Sequence, residues 1–132
     1  MQYLLDTQVL IWSLEDNLKL KPSLRSLIEN TANTMFVSQL SLMEMSIKLK
    51  LGKLPDFIVD IEYITAQLVT DGFQILQLSN QHIFSYQSVP FFEDHRDPFD
   101  CFLLATALSE QIPIISMDEK FLLYQPLVNV IS

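Results

Sequence analysis

The sequence predicts an α/β fold with a mainly parallel central sheet of about five strands and helices on both faces. Short apolar segments alternate along the chain with longer amphipathic ones, and the short segments are apolar on both sides, as in strands buried on both faces. The chain has 132 residues, 49% of them apolar. A chain of this length buries roughly two-thirds of its unfolded surface. We therefore expect a single domain over residues 1–132.

The first elements are a strand and two helices. Leu4-Leu5 is predicted to be a short buried strand that ends at Asp6, and Thr7–Glu15 a helix. Pro22 is a favoured first residue of a helix, which we expect to end near Asn30. A polar residue therefore stands where the first strand ends.

The next part of the chain continues the alternation. Met35–Val37 is predicted to be a strand, and Ser38–Lys50 a helix that Gly52 ends. Residues 56–71 carry apolar side chains at spacings of three and four, which is typical of an amphipathic helix.

The remainder of the chain gives three more strands and three more helices. The predicted strands are Phe73–Leu78, Ile112–Ser116 and Val128–Ile131. The predicted helices are Ser79–Tyr86, Asp97–Leu108 and Asp118–Tyr124. Residues 88–97 are expected to form a polar, aromatic loop, and we find no internal repeat or linker.

The charge pattern excludes nucleic-acid binding by bulk electrostatics. Sixteen carboxylates and eight basic residues give a net charge of −8. Residues 54–95 contain no lysine or arginine at all. Most basic residues lie in the first 53 positions: Lys19, Lys21, Arg25, Lys48, Lys50 and Lys53. Any contact with nucleic acid must therefore come from a local basic surface.

The cysteine count and the hydropathy pattern indicate the compartment. Cys101 is the single cysteine, so it has no disulfide partner within the chain, and no zinc-binding spacing is present. The N-terminus lacks a basic leader region, and no apolar run approaches the ~20 residues of a membrane span. We expect a cytoplasmic protein that is neither exported nor inserted in a membrane.

Four carboxylates are the candidates for chemistry. Asp6 and Asp118 each follow a predicted strand, and in parallel sheets ligands bind beyond the carboxyl ends of the strands. Glu44 lies in an otherwise apolar helical stretch, and Asp100 one helical turn after Asp97. Gathered carboxylates repel one another unless a proton or a cation compensates. Mg²⁺ prefers oxygen ligands and pairs with substrate phosphates, so this set points to phosphodiester chemistry.

Each of these residues also has a structural interpretation. Asp97 before Pro98 has the pattern of a helix N-cap, Asp100 suits the first helical turn, and Asp118 is placed to cap the helix that follows it. Glu44 also suits a helix position from which its side chain reaches solvent, and Asp6 also suits a turn.

Several other residues are interpreted as structural. Lys48, Lys50 and Lys53 suit a solvated helix end as well as a binding surface. His82 and His95 lack metal-ligand spacing and a nucleophile partner, so we interpret both as non-catalytic. Cys101 is expected in the core.

The sequence resembles the PIN domain family, and within it the VapC-type toxin ribonucleases of type II toxin–antitoxin pairs. The matching segments follow the family's order over nearly the whole chain. They are residues 4–12, 37–54, 95–107 and 114–118, including His95-Arg96-Asp97-Pro98-Phe99-Asp100 and Ile114-Ile115-Ser116-Met117-Asp118.

The resemblance implies a metal-dependent endoribonuclease that cleaves RNA with a water activated by Mg²⁺ (or Mn²⁺). The implied metal-binding and catalytic residues are Asp6, Glu44, Asp100 and Asp118. Thr7, Ser116 and Asp97 are implied to lie next to them, and Lys48, Lys50, Lys53 and Arg96 are candidates for RNA contact. A cognate VapB-type antitoxin and a homodimer are the implied protein partners.

The chain departs from the family's pattern at two positions. Gln8 stands where close relatives often have histidine, and Cys101 where they often have arginine. We expect the missing arginine to weaken phosphate contact beside Asp100, which affects activity and substrate choice. The four acids are intact, so neither departure affects the predicted metal ligands.

The principal alternative is a non-catalytic PIN-like module whose acidic residues serve only protein contacts. Such a module should show no dependence on Mg²⁺ or Mn²⁺. A receiver or phosphatase fits less well, because no lysine follows the last predicted strand.

Overall fold

The computed structural model describes all of residues 1–132. Five strands form one sheet: β1 (Gln2–Leu5), β2 (Thr34–Ser38), β3 (Gln74–Leu76), β4 (Ile114–Ile115) and β5 (Val130–Ile131). All four pairings are parallel, and the order across the sheet is β3-β2-β1-β4-β5. The predicted α/β fold with a parallel sheet of five strands is confirmed.

Six α-helices and one 3₁₀ helix cover the sheet. They are α1 (Thr7–Leu14), α2 (Pro22–Glu29), α3 (Gln39–Lys50), α4 (Ile61–Thr70), α5 (Asn80–Tyr86), α6 (Pro98–Glu110) and the 3₁₀ helix Glu119–Tyr124. None of the helices is long and apolar enough to span a membrane.

Successive residues of the central strands enter two separate cores. Leu4 and Ile114 pack with α6 and the 3₁₀ helix on one face, whereas Leu5 and Ile115 pack with residues of α1 to α4 on the other. Side chains alternate between the two faces of a strand. Because both faces are covered, successive residues of the central strands, Leu4-Leu5 and Ile114-Ile115, are apolar rather than alternating with polar residues.

The predicted helix over residues 56–71 begins too early. The helix starts at Ile61, and Asp60 is its N-cap, with a side chain that accepts a hydrogen bond from the Tyr63 N–H at 2.9 Å. Residues 56–60 lie outside any helix or strand, while Phe57 and Val59 still pack against the core that contains Leu5 and Ile115. Phe57 and Val59 are apolar because they pack against the core, not because they belong to the helix. The cap at Asp60 determines where the helix begins.

The strands from Phe73 onward are also shorter than predicted. The sheet pairs only Gln74–Leu76, Ile114–Ile115 and Val130–Ile131, because these are the residues that face a neighbouring strand in register. Other boundaries agree more closely: Ser38, Ser79 and Asp97 act as N-caps of α3, α5 and α6.

The position of the switch point follows from the strand order. From the central strand β1 the chain goes first to β2 and β3 on one side, and later to β4 and β5 on the other. The order therefore reverses between β1 and β4, where Leu5 pairs with Ile115. A crevice at the carboxyl ends of these two strands is the expected ligand site of such a sheet.

Candidate metal centre

A cavity of about 280 Å³ opens at the carboxyl ends of β1 and β4. All four predicted carboxylates line it, as do two of the three residues expected beside them and one of the four basic residues. The cavity-lining residues among the candidates are Asp6, Glu44, Asp100, Asp118, Thr7, Asp97 and Lys48. The fold thus brings together acids that are more than a hundred residues apart in the chain.

Asp6 is the most buried of the four acids. It follows β1 directly, is 4% exposed, and caps α1 by accepting a hydrogen bond from the Val9 N–H at 2.7 Å. Burial raises the pKa of Asp6 to about 7, against the lowering effect of hydrogen bonds from Ser116 and Val9. The nearby charges of Asp100 and Asp118 raise the pKa of Asp6 further.

Glu44 enters the cavity from α3. Its Oε2 lies 3.5 Å from the Lys48 Nζ one turn later, an i,i+4 ion pair. Its other oxygen, Oε1, is buried and has no hydrogen-bond partner. Buried polar atoms in proteins nearly always have a hydrogen-bond partner, but no group of this chain contacts the Glu44 Oε1 in that way.

Asp100 lies in the first turn of α6 and is held by a histidine. The Asp100 Oδ2 is 3.0 Å from the His95 Nε2, and the His95 Nδ1 is 2.6 Å from the Tyr124 hydroxyl. Burial raises the pKa of Asp100, and the hydrogen bond from His95 opposes that shift. The sequence pattern indicates only that His95 is non-catalytic and does not predict this contact with Asp100.

Local sequence gave little reason to select His95. It lies in the loop before α6, and its partner Tyr124 is 29 residues further along the chain. The only available signal was its place at the head of the segment His95-Arg96-Asp97-Pro98-Phe99-Asp100. Contacts of this kind depend on how the loop packs against the 3₁₀ helix.

Asp118 and Asp97 each have a structural contact as well as a place in the cavity. Asp118 is exposed and caps the 3₁₀ helix, accepting from the Lys120 N–H at 3.0 Å. Asp97 caps α6, where its Oδ1 accepts from the N–H groups of Phe99 and Asp100. The capping interpretation of Asp97 and Asp118 is confirmed, and it is compatible with a position in the cavity.

Two buried hydroxyls lie beside the acids. The Thr7 Oγ1 donates to the Ser41 Oγ at 2.9 Å and so ties α1 to α3. The Ser116 Oγ accepts from the Asp118 N–H at 3.1 Å, and the Ser116 side chain lies close enough to Asp6 to lower its pKa. Ser116 does not line the cavity, so it touches the site through these two aspartates.

The candidate basic residues do not share one location. Lys48 lines the cavity, whereas Lys50, Lys53 and Arg96 are outside its lining. The Arg96 guanidinium lies over the Phe91 ring, 4.9 Å from its centre. Of these residues, therefore, only Lys48 faces the acids directly.

The donor set fits a hard divalent cation. Five carboxylates and one lysine line the cavity, and one carboxylate oxygen, Glu44 Oε1, is buried and unpartnered. Oxygen ligands of this kind are those that Mg²⁺ and Mn²⁺ prefer. Ligand atoms of His95, Asp100 and Asp118 lie within 4.8 Å of one another. Both ring nitrogens of His95 already have partners, so the carboxylates are the better ligands.

The comparison with family models identifies residues 3–125 as a PIN domain. Curated protein sequences gave no significant match. Three solved structures are similar over nearly their full length. They are VapBC2 from Rickettsia felis bound to a DNA fragment from their promoter (TM-score 0.71, 15% identity, 99% of this chain and 98% of that chain), VapBC-1 from nontypeable Haemophilus influenzae (0.67, 19%, 100% and 98%) and a toxin–antitoxin complex from Klebsiella pneumoniae (0.57, 18%, 98% and 96%).

Proposed function

The chain belongs to the PIN domain family, and on that premise we propose that it is a metal-dependent endoribonuclease, the VapC-type toxin of a VapBC-type toxin–antitoxin pair. The observation that carries the proposal is the buried, unpartnered Glu44 Oε1 in a cavity lined by four further carboxylates, Asp6, Asp97, Asp100 and Asp118. A protein that used these acids only for surface contacts would have no reason to bury an unpartnered carboxylate oxygen, because that burial is costly.

Mg²⁺, or Mn²⁺ in its place, is the cofactor that we propose. Asp6, Glu44, Asp100 and Asp118 would hold it. When bound, a divalent cation polarises phosphoryl oxygens and lowers the pKa of a coordinated water. The acids thus supply the negative charge that attracts the cation. Folding already holds them together against their mutual electrostatic repulsion.

The chain's own residues have distinct roles in this proposal. Asp6 is fixed by the hydrogen bond from the Val9 N–H, so its carboxylate is oriented before the cation or the substrate binds. Lys48 is the charge that we expect to contact a substrate phosphate next to the acids. Val9, Trp12, Met117 and Phe121 supply the apolar part of the lining.

RNA is the proposed substrate, and its contacts must be local. The net charge of −8 opposes long-range attraction of a polyanion. We assign the contacts to Lys48, with Lys50, Lys53 and Arg96 as candidates for phosphates further from the scissile bond. The salt dependence of binding measures how many of them take part.

A VapB-type antitoxin and a second copy of the chain are the proposed protein partners. The similar structures are VapBC and toxin–antitoxin complexes, and the fold of this chain matches them over nearly its full length. Ile83, Phe84 and Tyr86 of α5 are at least 40% exposed, and exposed apolar surface of this kind is typical of interfaces. Light scattering on the isolated chain, and on the chain co-expressed with the neighbouring reading frame, tests both.

The cytoplasmic location stays a prediction, as does the boundary of the domain at residues 1 and 132.

The decisive experiment is cleavage of RNA by the purified chain with Mg²⁺, with EDTA, and after Asp6→Asn. We expect cleavage with Mg²⁺ alone, and a loss of orders of magnitude in the variant. Asp60→Asn is the matched control, because Asp60 also caps a helix but lies outside the cavity. Cleavage that persists in EDTA and in Asp6→Asn contradicts the proposal. A chain that neither cleaves RNA nor binds Mg²⁺ supports the non-catalytic module instead.

A further inference from the structure

A chain of hydrogen bonds leads from the core that contains Leu4, Ile114 and Tyr124 to the acidic cavity. The Tyr124 hydroxyl lies 2.6 Å from the His95 Nδ1, and the His95 Nε2 lies 3.0 Å from the Asp100 Oδ2. His95 is 5% exposed and Tyr124 1%. Buried polar contacts of this length fix side-chain orientation, because breaking one leaves an unpartnered buried group.

The direction of the hydrogen bonds follows from the groups involved. A carboxylate that binds a cation is ionised and only accepts, so in that state the His95 Nε2–H donates to the Asp100 Oδ2. A neutral imidazole that donates from Nε2 accepts at Nδ1, here from the Tyr124 phenol. Tyr124 is itself held edge-on against Phe92, with ring centres 5.1 Å apart, and the His95 ring lies 5.6 Å from the Phe121 ring. Packing therefore holds the imidazole at the angle that its hydrogen bonds require.

We propose that His95, held by Tyr124, is a positioning residue that orients the Asp100 carboxylate for cation binding. The Nε2–H occupies Oδ2, which leaves Oδ1 for the cavity that Asp100 lines. This role rests on the proposed function, because it supposes that the cavity holds a divalent cation. Hydrogen bonds to metal-binding carboxylates commonly contribute to metal affinity in this way.

A second buried histidine provides a matched comparison within the same chain. The His82 Nε2 lies 2.8 Å from the Glu110 Oε1, and its Nδ1 accepts from the Ser79 N–H at the start of α5. Neither His82 nor Glu110 lines the acidic cavity. Removing this imidazole disturbs a histidine–carboxylate pair, in which the histidine is buried and Glu110 is exposed, without touching the proposed site.

The experiment measures Mn²⁺ affinity in the absence of RNA, by calorimetry or by the paramagnetic resonance of free Mn²⁺. His95→Phe keeps an aromatic ring but removes the donor, and we expect its Mn²⁺ affinity to fall roughly 10- to 100-fold. His95→Gln carries an amide N–H near the position of Nε2, and we expect it to recover most of the affinity. Tyr124→Phe leaves the imidazole in place without its anchor, and we expect a smaller loss. Because Tyr124→Phe removes a single oxygen, it tests the proposal even where His95→Phe does not fold.

Two controls separate positioning from a general loss of structure. His82→Phe should lower the melting temperature and leave Mn²⁺ affinity within about twofold of the parent, far less than the loss expected at a residue that supports a ligand. In an Asp100→Asn background, His95→Phe should have little further effect on Mn²⁺ affinity, because the group that it orients is already changed.

The outcomes distinguish this proposal from the proposed function. Parental Mn²⁺ affinity in folded His95→Phe and Tyr124→Phe overturns the positioning role and leaves the nuclease proposal standing. Equal losses in His95→Phe and His82→Phe also overturn it, because the effect is then only structural. A parent chain that binds no Mn²⁺ overturns the proposed function and the positioning role together.

Discussion

Glu44 and Lys48 form an ion pair across one turn of α3 that partners only half of the glutamate. The Lys48 Nζ lies 3.5 Å from the Glu44 Oε2, while Oε1 is buried and unpartnered. Lys48 therefore partners only one of the two carboxylate oxygens and leaves Oε1 without a hydrogen-bond partner. The same pair places a positive charge at the edge of an otherwise acidic cavity. Both observations lead to experiments.

Glu44→Gln should separate stability from cation binding. The substitution removes a charge that the cavity does not fully partner, so we expect the melting temperature in EDTA to stay the same or rise. The increase in melting temperature that Mg²⁺ causes should shrink, because ligand binding stabilises the folded state by mass action. Thermal unfolding with and without Mg²⁺ measures both. An unchanged response to Mg²⁺ would remove Glu44 from the set of ligands.

The buried carboxyl of Asp6 should make stability depend on pH in the metal-free chain. Its pKa in the folded state is raised to about 7, above that of an unfolded aspartate. The folded state then binds a proton that the unfolded state has released, so the free energy of unfolding falls as pH rises from about 4 to about 7. Asp100, whose pKa is also raised, acts in the same direction.

Urea unfolding in EDTA at about pH 5 and about pH 7.5 tests this dependence. Asp6→Asn keeps a capping oxygen for the Val9 N–H but cannot ionise, so we expect it to lose less stability than the parent between the two pH values. Identical pH dependence in parent and variant would contradict the prediction.

Asp97 should act mainly as a helix cap. Asparagine is as good an N-cap as aspartate, so we expect Asp97→Asn to keep parental stability and most of the activity. Asp97→Ala removes the acceptor for Phe99 and Asp100 and should cost about 0.5–2 kcal/mol of stability. Denaturant unfolding and cleavage assays on both variants provide the measurement. If Asp97→Asn alone abolishes cleavage on a stable fold, its charge belongs to the metal centre.

Lys48 should account for more of the RNA affinity than its neighbours. It lines the cavity, and Lys50 and Lys53 do not. Each phosphate contact on a single strand adds about 0.7 to the slope of log affinity against log salt. We expect Lys48→Gln to flatten that slope by about this amount, and Lys50→Gln and Lys53→Gln to leave it close to parental. Titrations between about 50 and 200 mM salt measure the slope. Equal effects at all three positions would place the RNA along the helix end instead.

The sequence located the acids because strand ends and helix starts are local features. Asp6 and Asp118 follow short apolar segments, and the rule for parallel sheets already placed such residues at one edge. The order of the strands then brought them to the same crevice, since β1 pairs directly with β4. The start of α4 was missed because Phe57 and Val59 are apolar for packing reasons, while Asp60 decided the boundary.

The alternation of apolar segments by itself determined the layered parallel fold, and residue type and position determined the caps at Ser38, Ser79 and Asp97. Tertiary structure alone decided which side chains touch within the cavity. His95 meets Asp100 and Tyr124, and Glu44 loses solvent around one oxygen, only when the loop before α6, the 3₁₀ helix and α3 have packed. Hydrogen bonding and desolvation depend on distances of a few ångströms between distant parts of the chain, and no local pattern encodes those distances.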